Sequence, residues 1–519
     1  HVPGSIHQGS QPVVGPYTYI VSPRYFDAKG SLQPINAQLG ASVVVNVAPF
    51  QKKGLALGFT RGFTQSQAFV HRFGLKALIQ PKVKTLLFNT ERVSGTDATG
   101  QTFTFEDEYQ WLGFTARQRI FALLDKVVSN KSLTVDVFAY DLNEPDLMAR
   151  LLKLAGQGRI RIILDNASLH HSSQSPKPED QFEKLFTKAA KGNAGIFRGK
   201  FGRYAHDKVV IVYKGGKAAS VLTGSTNYSV TGLYVNSNHV LIFDDPVVAG
   251  TYAQIFRDAW NGKASRSAFL KTPDSAKSFP FSSSQTPNTE ITFAPHQTPF
   301  ATTVLTDIAK RIAKEGTKGK TVGSVLFAVM QIDKGTGPVY PALTKLHTQQ
   351  SVFSYGISDS PGGIYLYPVG KKNGVLVTGK PVNTQLPPPF DQVRNIGGVG
   401  HQVHHKFVVC GFNGSDPVVY CGSSNLALGG EENNGDNLLA IRDGDVATVF
   451  AIEALALVDH FNFLDRVAKG PKAKKGKAPS ASKHQDAVSA GWFLSTNDTW
   501  TKPYFDPNDL HSVDRQVFG

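Results

Sequence analysis

Two segments of the 519-residue chain carry the same reactive side chains at the same intervals. In "HDKVVIVYKGGKAASVLTGSTN", Lys208 follows His206 by two positions and Gly224-Ser225-Thr226-Asn227 begins sixteen further on. In "HHKFVVCGFNGSDPVVYCGSSN", His404, Lys406 and Gly422-Ser423-Ser424-Asn425 repeat those intervals. A lone His-x-Lys arises by chance about once in a chain of this length, but the full pattern twice does not. The residue types suit a tetrahedral anion. Lysine supplies a compact positive charge, Asn and Ser supply hydrogen bonds, and Gly lets backbone approach a bound group. An imidazole near neutral pH acts as nucleophile or as acid and base. One such set is half a site, and two halves facing each other about a pseudo-twofold axis complete it.

The elements that must hold these residues are legible around them. "KVVIVY" and "KFVVCG" read as strands, whose period of two puts His and Lys on one face. A hairpin then returns Ser and Asn beside them. Upstream of the first motif, 132–142 reads as a strand, 144–155 as an amphipathic helix and 159–166 as a second strand. Upstream of the second, 323–332, 337–347 and 351–358 repeat that order. Strand, helix, strand at this spacing is a βαβ unit, so the halves read as duplicated α/β domains offset by 198 residues, as from His206 to His404. The division expected is a β-rich N-terminal segment (1–112), a first lobe (113–262), a linker (263–290) rich in Ser, Thr, Pro and Lys, a second lobe (291–466) and a basic linker with an aromatic tail (467–519).

The two motifs resemble the signature of the phospholipase D superfamily, His-x-Lys followed by Asp and then Gly-Ser-x-Asn, over residues 130–465. The resemblance implies an α/β fold of two pseudo-symmetric phospholipase D-like lobes, mixed sheets flanked by helices, with one shared site. It also implies two-step, metal-independent phosphoryl transfer. His206 would form a covalent phosphohistidine, and His404 would protonate the leaving oxygen and then deprotonate the resolving water. Lys208, Lys406, Asn227 and Asn425 would hold the non-bridging oxygens, with Ser225 and Ser423 adding hydrogen bonds. The residues alone leave the polarity of attack open. The family's acid, five positions after the Lys, is replaced here by Tyr213 and Gly411. In the family that acid supports the fold.

The remaining expectations are less specific. Gly224, Gly422, Asn238, Asn437 and Glu432 are assigned to substrate binding, although the cluster of Glu431, Glu432 and Asp436 reads more readily as a polar loop. His401, His404 and His405 crowd together without an acidic or Cys partner at ligand spacing, so no metal or other cofactor is expected. Cys410 and Cys421 flank a turn, which leaves a disulfide and two buried thiols as equal alternatives. A bridge, with the sequons and a start at His1 rather than Met, fits a processed, secreted or extracytoplasmic protein. Apolar residues make up 41% and charged ones 18%, the balance of a globular chain, and no window reaches the length of a membrane span. The formal net charge is +15, and six lysines of 469–483 account for only part of it. A basic surface attracts polyanions. The expectation is therefore a monomeric phosphodiesterase acting on nucleic acid. The alternatives are phospholipid headgroup hydrolysis or exchange and a catalytically silent phosphate-binding protein.

Overall fold

Alternation along the motif strands decides what each face serves. In the hairpin after His206, Val209 and Ile211 enter one hydrophobic core while Val210 and Val212 enter another. After His404, Phe407 and Val409 face the first of these cores, and Val408 and Cys410 face a third. A strand buried on both faces reads as a continuous apolar run, as these do. The protein is described by a computed structural model covering residues 14–518, apart from 30, 62–68, 70–71, 75–76, 83–84, 98, 318, 320, 331–334, 348, 350, 359–363, 367–374, 378–402, 469–497 and 510.

Strands β1 (Gly15–Val21) and β2 (Ala41–Val47) form an antiparallel ribbon. The first lobe is an eight-stranded sheet. Its strands are β3 (Gln51–Lys52), β4 (Leu55–Phe59), β7 (Leu133–Ala139), β8 (Ile160–Asp165), β9 (Gly195–Gly199), β10 (Val209–Lys214), β11 (Lys217–Gly224) and β12 (His239–Phe243), in the order β3-β4-β12-β11-β10-β7-β8-β9. The short pair β5 (Val93–Thr96) and β6 (Thr102–Thr104) leads into the helix Phe105–Ser129. The second lobe is a seven-stranded sheet of β13 (Phe279–Phe281), β14 (Thr289–Ala294), β15 (Gly323–Val329), β16 (Val352–Ser358), β19 (Phe407–Cys410), β20 (Val418–Gly422) and β21 (Asp436–Ile441), in the order β13-β14-β21-β20-β19-β15-β16. A small pair, β17 (Ile364–Leu366) and β18 (Val375–Val377), lies outside it. In each lobe the βαβ pair is parallel, β7 with β8 and β15 with β16, and the motif hairpin is antiparallel.

The two lobes share one core. Ile211, Val221 and Leu241 of the first sheet belong to the same buried cluster as Val409, Val419 and Leu439 of the second, with the helices Pro246–Asn261 and Gly444–Ala468 contributing Phe256 and Phe450. Each sheet's other face is covered by its own helices. The isolated bridges that join the lobes obey the sequence repeat. Ala205 pairs with Gly435 and Ser237 with Val403, and both 403 − 205 and 435 − 237 equal 198. The dyad therefore passes through the two motifs.

Three expectations change. The N-terminal segment is not separate, because β4 pairs with β12 and extends the first sheet. The stretch expected as a solvated linker is structured: Phe269 and Phe281 are buried and β13 pairs with β14. The disulfide is absent, since Cys410 and Cys421 are free and buried. Register explains this. Cys410 pairs with Val418, three residues short of Cys421, and the odd offset puts the thiols on opposite faces of the sheet, in different cores. The described part of the tail straps the second lobe, where Tyr355 donates to Asp514 and Phe353 meets Phe518 edge-on at 5.3 Å. The lysine-rich stretch and His401 lie outside the described residues.

Candidate active site

Each motif strand begins at the lobe interface, so His and Lys leave it there together. Lys208 and Lys406 are 1% exposed, and His206 and His404 are 5% and 7% exposed. Each Lys Nζ donates to the carbonyl of the His two residues earlier. Each also lies against the residue that follows the first strand of its own lobe's βαβ unit, β7 or β15. Lys208 sits 4.6 Å from the Tyr140 ring centroid, and Lys406 sits 3.1 Å from Met330 Sδ. The returning strands end in Gly224 and Gly422, at φ 141° and 129°. A Cβ there would stand 2.3 Å from the His239 carbonyl oxygen or 2.5 Å from that of Asn437. Glycine is needed at both places because the neighbouring strand passes too close for any side chain. Beyond the glycines, the buried amide oxygens of Asn227 and Asn425 have no hydrogen-bond partner, at equivalent positions of the two halves. Buried polar atoms without partners are rare, and turning each amide over would present its Nδ2 donor to an anion at that place.

The lobes orient each other's histidines. His206 Nδ1 donates to Asp436 Oδ1 of the second lobe at 2.7 Å, and His404 Nδ1 donates to Asn238 Oδ1 of the first at 2.8 Å. Ser423 donates to Asp436 at 2.7 Å, as Ser225 donates to Asn238 at 2.8 Å. Both supports stand eleven residues after the motif Asn and are related by the 198-residue repeat. One is a carboxylate and the other an amide, so the halves are equivalent in shape and unequal in charge. Asn437 is one position further on and does something else. Its Nδ2 donates to Asp207 at 2.6 Å and its Oδ1 accepts from Thr223 at 3.0 Å. Glu432 accepts from Thr298 and, through its carbonyl, from Arg266 at 2.6 Å, which ties it to the rim.

The reading of 429–437 as a spectator loop is corrected for Asp436. It opens β21 and is 1% exposed. A signal was present in the sequence, because carrying Asn238 forward by 198 lands on Asp436 rather than Asn437. The family's missing acid also has an answer. The Tyr213 hydroxyl donates to Asp136 Oδ2 at 2.6 Å, and Asp136 holds Arg161 through two bonds of 2.7 and 2.6 Å. The carboxylate comes from the neighbouring strand β7 instead of from β10.

The electrostatics follow from burial. Burial pulls the His206 imidazole down to about 4, against the opposing pull of Asp436. It pulls Lys208 down to about 8, although Asp436 and Asp207 favour its charge. Lys406 falls well below the ordinary ammonium range through burial, then through the charge of Lys208. Burial, then the charge of Asp436, pushes Asp207 up to about 7. For Asp436 burial acts upward too, but His206 and Lys208 outweigh it and hold the carboxyl below its usual range. The site thus presents a neutral imidazole and two lysines eager for a compensating anion.

Asp141, His170 and Glu179 bring donor atoms within 4.8 Å of one another beside this site. His170 is turned by Asp165 at 2.9 Å, and Tyr140 stands edge-on to both His170 and His206 at 4.3 and 4.7 Å.

Residues 126–260 match the family model described as cardiolipin synthase, PLD-like domain. A mitochondrial cardiolipin hydrolase of Xenopus tropicalis is 28% identical over 147 residues, which are 28% of this chain and 61% of the relative. A phospholipase D of Rickettsia bellii is 25% identical over 220 residues, covering 40% of this chain and 92% of the relative. Among solved structures, polyphosphate kinase from Porphyromonas gingivalis superposes with a TM-score of 0.44 at 13% identity, over 74% of this chain and 53% of that one.

Proposed function

The chain belongs to the phospholipase D superfamily, and from that premise we propose that it is a phosphodiesterase working through a covalent phosphohistidine on His206. The observation that carries the reading is the pair of His-Lys-Asn sets meeting at one dyad, each histidine held by the opposite lobe. The unequal supports favour one division of the roles. Asp436 accepts the Nδ1 proton of His206, leaving Nε2 as the nitrogen that attacks, and its charge offsets the cation that forms when phosphorus is bonded. His404 rests on a neutral amide, which suits a group that must give up a proton.

In the first step His206 Nε2 bonds to phosphorus and the P–O bond to the leaving group breaks, with that oxygen taking its proton from His404 in its acid form. In the second step His404 removes a proton from water, the water oxygen bonds to phosphorus and the N–P bond breaks. Lys208, Lys406 and the two motif asparagines hold the non-bridging oxygens throughout.

The substrate we infer is nucleic acid. The net charge of +15 supports it, as does a basic and aromatic ledge beside His206, where Arg203 lies 4.9 Å over the Tyr204 ring and Tyr204 meets Tyr140 edge-on. No helix among the described residues is long and apolar enough to cross a membrane. Phospholipid is the second reading, favoured by the names of the two curated relatives. The test presents supercoiled DNA, single-stranded DNA, RNA, and phosphatidylcholine and cardiolipin vesicles, all in EDTA. Cleavage of a nucleic acid is expected, abolished in both His206→Ala and His404→Ala. Full activity in either variant overturns the mechanism, and turnover of vesicles alone overturns the substrate.

A further inference from the structure

Behind His404 lies a run of buried groups that the reaction does not use. The helix Gly444–Ala468 brings Glu453 Oε1 to 3.2 Å from His405 Nε2. His405 Nδ1 faces His239 Nδ1 at 3.1 Å, the two rings parallel to within 6°. His239 Nδ1 is also 3.2 Å from Ser225 Oγ, and Ser225 donates to the Asn238 oxygen that holds His404. Five groups thus connect a helix on the far side of the shared core to an imidazole in the site.

The protons in this run can be placed. Asn238 Nδ2 donates to the Gly232 carbonyl at 2.9 Å, so its Oδ1 is the end that faces His404 and must accept from Nδ1. His239 Nε2 is buried with no partner, beside the Phe407 and Phe450 rings. A proton there would be an unsatisfied buried donor, the costlier alternative. His239 therefore carries its proton on Nδ1 and donates it to His405 Nδ1. His405 carries its own on Nε2 and donates to Glu453, where an acceptor is required. The backbone N–H of His239 donates to Ser225 Oγ at 3.0 Å, which leaves the serine proton to Asn238. The bonds part at His239: its Nδ1–H leads through His405 to Glu453, and its backbone N–H leads to Ser225, which joins His404 in donating to Asn238.

The other half has no such extension. The counterparts of His239 and His405 under the 198-residue repeat are Asn437 and Asp207, which pair directly with each other. A carboxyl group serves the His206 side from the site itself, whereas on the His404 side it stands two imidazoles away, its proton affinity raised by burial.

We propose that Glu453 is a positioning residue for His404: it keeps the proton on His239 Nδ1 through His405, which denies Ser225 an acceptor there and holds the serine on Asn238, fixing the orientation of the imidazole that transfers protons. This rests on the role given to His404 above, so the test carries a readout independent of turnover. In bis(p-nitrophenyl) phosphate hydrolysis, Glu453→Met is expected to lower kcat about five- to tenfold with KM within about twofold. Glu453→Gln, which keeps an acceptor for His405, is expected to restore kcat to within about twofold of the parent. His239→Asn interrupts the run elsewhere, and the double variant with Glu453→Met should lose no more than the worse single one, because both act through one path. Nitrogen-15 spectra of the histidine rings should find His404 in its Nδ1–H form in both proteins, with its Nδ1 signal displaced in Glu453→Met as the serine bond to Asn238 loosens. Unchanged kcat in a folded Glu453→Met, losses that multiply in the double variant, or a His404 signal indifferent to Glu453 would each overturn the proposal. A parent silent toward the diester would remove the phosphodiesterase reading, and the His404 spectrum would still decide this one.

Discussion

Replacing Asp436 by Asn isolates the charge that separates the two half-sites. The amide occupies the same volume and can still accept from His206 Nδ1 and Ser423, both now at 2.7 Å, at the expense of the 3.1 Å bond that Asn434 donates to the other oxygen. What disappears is the negative charge facing an imidazole that becomes cationic once bonded to phosphorus. A hydrogen bond to a charged partner is worth ~1.5–3 kcal/mol and a neutral one ~0.5–1.5. Burial on both sides, with Asp436 and His206 only 1% and 5% exposed, places the loss near the upper end. A loss of ~2–3 kcal/mol corresponds to a fall of about 30- to 160-fold in kcat. Asp436 also stands first among the groups that favour the charge on Lys208, so weaker substrate binding should accompany the slower step. The assay is steady-state hydrolysis of bis(p-nitrophenyl) phosphate, with acid quenching to count the phosphohistidine. A folded Asp436→Asn with parental kcat and parental intermediate would refute the assignment of His206 as nucleophile.

The reciprocal change, Asn238→Asp, places a carboxylate on His404 Nδ1. It should make His404 a poorer acid and move the alkaline limb of the rate profile upward, seen by following kcat against pH. Because burial leaves Lys208 near 8 and holds Lys406 well below the ordinary ammonium range, binding of an anion such as tungstate at pH 8 should take up protons; calorimetry in buffers of different ionisation enthalpy would detect this, and no buffer dependence would contradict it. His206 and His296 are each held down to about 4, chiefly by burial. The unfolded chain binds more protons between pH ~6.5 and 4, so stability is intact above that window and falls through it by up to ~1.4 kcal/mol per pH unit for each histidine. Thermal melts across this range check it, with His296→Gln flattening part of the slope. Gly224→Ala and Gly422→Ala should each lower the melting temperature by several degrees, as backbone strain and a 2.3–2.5 Å contact combine; an unchanged melt would mean that β12 and β21 yield.

The two half-sites can be read along the chain. His, Lys, Gly, Ser and Asn in each are fixed by local rules, a strand's period of two and a hairpin's return, and local rules can be read along the chain. The βαβ units upstream were legible for the same reason. What stands behind each histidine depends on how the lobes pack. Asp436 is 230 residues from His206 and Asn238 is 166 from His404, and each crosses to the other lobe. Within the repeat they are equivalent, but nothing local says that equivalent residues exchange partners about a dyad. The cysteines teach the same lesson in reverse. They flank a turn as a bridge would, yet a register of three residues sends them to opposite faces of one sheet. Spacing along the chain fixes which groups a strand presents, and the packing of two sheets on one core fixes what those groups meet.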